Sequence, residues 1–497
     1  MLNRPTFQQR ILTICLGIAA AAIASSCTDS SNDARSRRLT ATLPAQTERA
    51  PVGSPRIRSR PLPPLLSGPP AGSLDTAFSN DGIVAHHDAA GGNGNDNGEA
   101  VAIDSQGRIV VAGYSTNANS ALVMSVWRYT PTGALDTTFN GSGYVTHAGG
   151  GGANANDQAI ASSIVIDASG RILVGGYSIA ANVWGMAMWR FNANGTPDGT
   201  FGPAGSDGMV RFPSPQSGGT VATLAPNGHI RASGFTWNGT DWDSALWRYD
   251  ANGAFDAGRA YIYSNYSAGG NNEDIAIDVA HDPSGRVVMT GYRTNAAGNQ
   301  DMTVFRFGDD DGGPLDDSFG TGGIVSHDNA AGGNGNDVGR AIAFGNGGKI
   351  VIAGWSPRGT GDTNGDMAIW RFNDNGTLDT TFKNTGYVTH HAAAGGDGND
   401  WGRAVVIDGK GRVVVAGQSA NTAGDPDMAV WRYLANGELD TAFGGKGWIV
   451  HAAGAGGTGG SDGARGIAID ANGRLVVVGR SANANGDIDM TIWRILP

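Results

Sequence analysis

"GRAVVIDGKGRVVVAGQSANTAGDPDMAVWRYLANGELDTAFGGKGWIVH", residues 402–451, decides how this chain folds. Four apolar runs stand in it. "GRAVVID" reads as a strand a, "RVVVAGQS" as b, "DMAVWRY" as c and "WIVH" as d. Runs so short, rich in β-branched residues and bounded by Gly, Asn or Asp, are strands rather than helices. "RVVVAG" is apolar without alternation, which means burial on both faces. Between a and b, "DGKGR" offers an Asp to open a type I turn and a Gly for its left-handed position.

Outward from this stretch the sequence copies itself. Variants of "LDTTF" place an Asp at 75, 136, 198, 256, 316, 379 and 440. Trp-Arg recurs at 127, 189, 247, 370, 431 and 493, and Phe305-Arg306 fills the remaining slot. Seven copies, starting near 72, 133, 195, 253, 313, 376 and 437, span residues 72–497. So long a period signals a propeller or an array. A sheet buried on both faces needs a sheet on either side, and seven in a ring supply that. The expectation is an all-β, seven-bladed β-propeller of four-stranded antiparallel blades. The first copy begins with a strand d, "GIVAHH", and the last ends on a strand c, "MTIWRILP". The N-terminal strand is therefore expected to complete the last blade.

The combination "GNDxGxAVxIDxxGRVVVAG", "DMAxWR" and "LDTTF" resembles the delta-60 repeat of bacterial secreted and surface proteins. The resemblance covers residues 72–497, implies a propeller and implies little about activity. Copies three and four depart from it, with "RFPSPQSGG" and "RAYIYSNYSAGG" where the others carry glycine loops.

Composition agrees with an all-β reading. The chain has 497 residues, 80 of them Gly, with four Glu and four Lys against 41 Asp and 30 Arg. Asp, Asn and Gly favour turns and disfavour helix interiors. The first 26 residues differ: Arg4 and Arg10 precede "ILTICLGIAAAAIA" and then "SSC", the pattern of a secretory signal. "IASSC" resembles the lipobox of bacterial lipoproteins, which implies lipidation of Cys27, although Ala24 stands where that family usually has Leu. Cleavage after Ala24 without lipid is the alternative. Residues 27–71 read as a Pro/Arg-rich disordered linker. The leader carries +2 and the linker +4, so of the overall −11 the body 72–497 carries −17. That balance argues against a nucleic-acid partner. A monomer touching the membrane only through its anchor is expected, at the outer membrane or surface, since Thr28 rather than an acid follows Cys27. The alternative is a secreted or periplasmic soluble protein.

The glycine-rich stretch "GGDGNDWGR" (395–403) looks like a calcium loop, but its copies lie about 60 residues apart, which excludes a tandem calcium roll. It falls in the connection from d to the next a. Its acid recurs as Asp96, Asp157, Asp274, Asp337, Asp400 and Asp462. On a propeller these carboxylates are expected to ring the channel mouth, as a funnel for a cation such as calcium. The structural alternative is that each accepts N–H groups of its own turn. Arg340, Arg403 and Arg465 follow three residues later and offer neutralisation. Seven of the nine His lie near the same connections (His86, His87, His147, His327, His390, His391, His451), one or an adjacent pair per blade, which suits repeat consensus better than zinc. Each Trp-Arg pair is expected to bury its Trp between blades and to pair its Arg with the "LDTTF" Asp eight residues on.

Residues that break the repeat carry the functional signal. Trp184, Trp237 and Trp242 fall at the b–c loops of copies two and three, Tyr261, Tyr263 and Tyr266 replace an outer strand, and Trp401 sits beside an acidic loop. Exposed aromatics on the rim that carries b–c and d–a loops suit a glycan or protein ligand; otherwise they cover irregular loops. No G-x-S-x-G, H-E-x-x-H or phosphate loop occurs. The first reading is therefore a binding module, with no cofactor beyond a calcium option. The second is a hydrolase or lyase using Asp96, Asp337 or Asp400, and the third a purely structural surface protein.

Overall fold

Strand c of the sixth repeat, Pro426–Tyr433, is buried from its second residue to its last, with Trp431 fully enclosed. In the computed structural model its counterparts Trp127, Trp189, Trp247, Trp370 and Trp493 are at most 1% exposed, as is Phe305. Each such side chain contributes about 1.5–3 kcal/mol by leaving water. The core is a set of such layers, each shared by two neighbouring blades: Val351 and Ile369 of one blade pack with Val415 and Trp431 of the next. The structure describes residues 69–149, 158–180, 183–212, 216–256, 261–263 (backbone only), 273–308, 313–359, 364–457 and 459–497.

Seven four-stranded antiparallel sheets each run in the order a, b, c, d. The a strands are Asn97–Ile103, Gln158–Ile166, Ser217–Leu224, Ile275–His281, Val338–Gly345, Gly395–Ile407 and Gly463–Ile469, in blades 1 to 7. Each a strand touches those of the neighbouring blades, and the seventh touches the first, so they form the inner ring of a closed propeller. The a–b turns follow the sequence reading. In the first, Asp104 Oδ1 accepts the N–H groups of Gln106 (3.0 Å) and Arg108 (2.9 Å), and Gly107 takes φ 75°. Strand d is three residues long in blades 2 and 3 (Met209–Arg211, Tyr261–Tyr263) and four elsewhere, so the departures in copies three and four fall on the two shortest outer edges.

All seven a strands carry a β-bulge at the same place. The extra residue is Glu99, Ser162, Thr220, Ile277, Arg340, Arg403 or Arg465, in blade order. A bulge leaves its extra residue out of the ladder and re-aims its side chain.

The Trp-Arg arginines bind the blades to one another. Arg128 Nε meets Asp136 Oδ2 at 2.7 Å, its Nη1 donates to the Ala193 carbonyl in the next blade, and its guanidinium lies 4.6 Å over Phe139. The same set recurs with Arg190, Asp198 and Phe201, and with Arg371, Asp379 and Phe382. In blade 7 it joins the two ends of the chain. Arg494 pairs with Asp75 at 2.8 Å, and Ile83–His86 adds the fourth strand in the register Ile83 to Trp493 and His86 to Met490.

Candidate ligand site

Asp96, Asp274, Asp337 and Asp462 each immediately precede strand a, and Asp400 lies within the longer strand a of blade 6. Asp96, Asp337 and Asp400 are fully buried, and Asp274 and Asp462 are 3% exposed; Asp157 lies outside the described residues. Asp96 Oδ2 accepts the Asp88 N–H (3.0 Å), Asp337 that of Asn329 (3.1 Å), Asp400 that of Ala392 (2.8 Å) and Asp462 that of Ala453 (3.0 Å). Those four donors all sit at positive φ, 55° to 64°, a conformation that costs free energy for residues other than Gly. The carboxylate holds the strained residue in place, and a strand-b serine secures the loop a second time, as when Ser419 Oγ accepts the Ala394 N–H (2.8 Å). Burial pushes Asp96, Asp274 and Asp337 up to about 6, and Asp400 and Asp462 in the same direction. Asp96, Asp337, Asp400 and Asp462 thus face their own loops instead of opening as a funnel, and Asp274 accepts the strand-b Thr294 N–H (2.9 Å).

The strand-d histidines lock against the Trp of the next blade. His147 Nδ1 accepts the Trp189 indole N–H (3.1 Å), and His327 that of Trp370 (3.2 Å). Burial holds His86 and His390 near 4, so both are neutral at pH 7. His87 and His391 belong to a different network. His87 Nδ1 lies 3.0 Å from Asp489 and 3.5 Å from Asp96; His391 Nδ1 lies 3.2 Å from Asp366 and 3.5 Å from Asp400. Calcium takes six to eight oxygen ligands, whereas each group of three offers an imidazole nitrogen and two carboxylates, one of which already accepts a loop N–H. In the second group Arg358 also stands 3.1 Å from Asp366. Both fit a hydrogen-bonded loop anchor better than a calcium site.

The arginines three residues after these acids turn away from them. Arg403 of blade 6 feels Arg465 of blade 7, Arg340 of blade 5, Arg480 of blade 7 and Glu99 of blade 1. Arg340 in turn feels Arg465, Glu99 and Tyr292 of blade 4. Side chains from blades 1, 4, 5, 6 and 7 come within reach of one another only near the ring axis, and the bulges deliver them there. Arg403 and Arg465 are 7% exposed and Arg480 2%, while Arg340 is half-buried. Above them, towards the rim with the d–a and b–c loops, half-buried Trp355 and Trp401 meet with ring centroids 5.2 Å apart. Arg403 lies 4.7 Å over Trp401 and Arg340 5.5 Å over Trp355. Trp355 was not among the sequence candidates. Its signal is the residue after the strand-b Gly, which reads Tyr114, Tyr177, Phe235, Tyr292, Trp355, Gln418 and Arg480 through the seven copies.

The remaining aromatic candidates lie in ladders. Trp237 and Trp242 face each other across the hairpin of blade 3, where Trp242 is 5% exposed and packs edge-on to Phe235. Trp184 is the second residue of strand c of blade 2, Val183–Phe191, and stacks on Tyr177 with centroids 5.1 Å apart. Tyr261 and Tyr263 form strand d of blade 3, and Tyr266 lies outside the described residues. On the opposite rim a cleft of about 440 Å³ opens between blades 1 and 2, but its charges are paired internally, Arg108 with Asp104 at 2.6 Å and Arg171 with Asp167 at 2.7 Å.

The family model described as "Domain of unknown function (DUF5122) beta-propeller" matches residues 105–139, 168–201, 225–258, 348–382 and 411–443. Each matched segment runs from an a–b turn through strands b and c to the "LDTTF" region. No curated protein matches the chain in sequence. Among solved structures, the polysaccharide lyase Uly1 is similar over 86% of this chain and 97% of its own, at 11% identity and a TM-score of 0.46. A protein of unknown function from Dyadobacter fermentans covers 83% and 97% at 11% identity and 0.41. The WD40 β-propeller domain of Doa1 covers 86% and 97% at 11% identity and 0.40.

Proposed function

We propose that the protein is an exported binding module of the delta-60 repeat type, anchored by lipid at Cys27 and presenting its propeller at the bacterial outer membrane or surface. The ligand is a glycan or a protein, seated on the rim that carries the d–a and b–c loops. The observation that supports this is the pair Trp355 and Trp401, two half-buried indoles in contact at the axis, each with a guanidinium against it. Large aromatic faces beside fixed cations are what binding hot spots are made of. The hydrolase or lyase reading gains less support, because Asp96, Asp337 and Asp400 are fully buried and spend an oxygen each on a loop N–H.

Replacing Trp401 by Ala is expected to weaken binding of a glycan or protein ligand by about 2 kcal/mol, roughly thirtyfold, while the melting transition stays single. Glycan-array screening with and without a chelator identifies the ligand, and calorimetry measures the loss. Equal affinity of parent and Trp401→Ala would remove this rim as the site. Cys27→Ser is expected to move the full chain from the membrane fraction to the soluble fraction; retention at the membrane would rule out the anchor.

A further inference from the structure

We propose that the ring axis between blades 5, 6 and 7 binds an oxyanion, a carboxylate, sulfate or phosphate group carried by the ligand. This rests on the reading of the axial mouth as a binding site, and adds the chemical class of what enters it.

Three of the seven bulge positions carry Arg (Arg340, Arg403, Arg465), and these three are consecutive around the ring. Arg480, from strand b of blade 7, joins them, with Nη2 2.9 Å from Ser461 Oγ. Glu99 is the one carboxylate among the bulge residues, and its Oε1 already accepts Asn97 Nδ2 at 2.7 Å. Asp462 reaches Arg480 from the side. Cations therefore outnumber anions at the centre of a body whose net charge is −17.

Arg465 carries the inference furthest. It is 93% buried, and its Nε and Nη1 have no hydrogen-bond partner among the described residues. A buried guanidinium is costly unless paired and hydrogen-bonded. Packing alone does not call for this arrangement: the same bulge holds Ser162, Thr220 and Ile277 in blades 2 to 4 with the same backbone. Burial and the neighbouring guanidinium groups pull Arg340 and Arg480 down only to about 10, so both remain charged at neutral pH. A planar fork with free donors, as at Arg465, matches oxyanion geometry, which a single ammonium does not. The indole pair beside them supplies an apolar wall for the rest of the ligand.

The test uses the full chain at fixed ionic strength, titrated with sulfate, phosphate and D-glucuronate, with D-glucose and chloride as controls. At least one oxyanion is expected to bind saturably and raise the melting temperature. Arg465→Gln is expected to weaken that binding about tenfold or more, and, without anion, to be no less stable than the parent. Arg403→Gln serves if the first variant fails to fold. The rank of the three anions tells which group the site takes. Absence of saturable binding, or an equal response of parent and variant, overturns the proposal. If a neutral glycan still binds through Trp401 while no oxyanion does, the charge class falls and the binding module stands. If neither binds, both fall.

Discussion

Deleting residues 69–87 is expected to abolish cooperative unfolding. That segment supplies the outer strand of blade 7, from Ile83 opposite Trp493 to His86 opposite Met490. It also supplies Phe78, fully buried with the Arg494 guanidinium 4.5 Å above it, and Asp75, which takes Arg494 at 2.8 Å and Arg474 at 3.2 Å. Backbone bonds continue the join, with the Arg494 N–H donating to Gly82 and the Leu496 N–H to Ser73. Without them a 2%-exposed arginine loses its partner and the last blade loses its edge. The single substitution Asp75→Ala isolates the ion pair. Removing one partner of a buried pair costs about 3–5 kcal/mol, so the urea midpoint should fall accordingly. Asp256→Ala is the control: it lies 3.7 Å from Arg248 and its side chain is 42% exposed, so its loss should cost about 1 kcal/mol or less. Equal effects of the two substitutions would show that the ends of the chain do not lock the ring.

The second large effect concerns Asp278. It stands on strand a of blade 4 beside the bulge, partly buried, and accepts the N–H of Val279 (2.7 Å) and, across the blade boundary, that of Ile342 (2.8 Å). Burial pushes its carboxyl up to about 7, against those two bonds. Between about pH 4 and pH 7 the folded protein therefore keeps a proton that the unfolded chain gives up. This contribution to stability is complete below the unfolded value and is lost as pH rises through 7. Raising the carboxyl that far corresponds to about 4 kcal/mol at most. Asp278→Asn keeps an acceptor for the Ile342 N–H and cannot ionise. The variant is expected to gain on the parent as pH rises from 4 to 8, by about 2–4 kcal/mol in urea unfolding. His86 and His390, held near 4, act in the opposite sense, losing stability as pH falls below about 6.5. Both are common to parent and variant, so the difference between the two curves isolates Asp278. Parallel curves would mean that this carboxyl is not titrating in that window.

Much of the scaffold was legible because each feature depends on neighbours in sequence. The runs "RVVVAG" and "DMAVWRY" became strands b and c, and the Asp eight residues after Trp-Arg became its partner. The same locality let the loop acids be seen as possible turn anchors. What escaped depends on convergence. Arg340 and Arg465 are 125 residues apart and belong to blades that are not neighbours, yet they lie within electrostatic reach of one another. Nothing in a linear spacing distinguishes an arginine that turns back on its own Asp from one that a bulge swings to the centre. Trp355 escaped for a related reason: its position is aromatic in five copies, so it looked like repeat rather than exception. Trp237 and Trp242 were expected in a loop, but the turn between them is tight, with the Asn238 N–H donating to the Asp241 carbonyl, and the ladder extends to both.

The inner-strand bulge has an evolutionary corollary. Seven identical backbone niches accept a glutamate, two hydroxyl side chains, an isoleucine and three arginines. The same bulge is kept whichever of these side chains it carries, so these niches can vary one at a time. Relatives sharing this architecture can then differ in the chemistry of the centre by exchanging a handful of side chains while the surrounding scaffold is inherited intact.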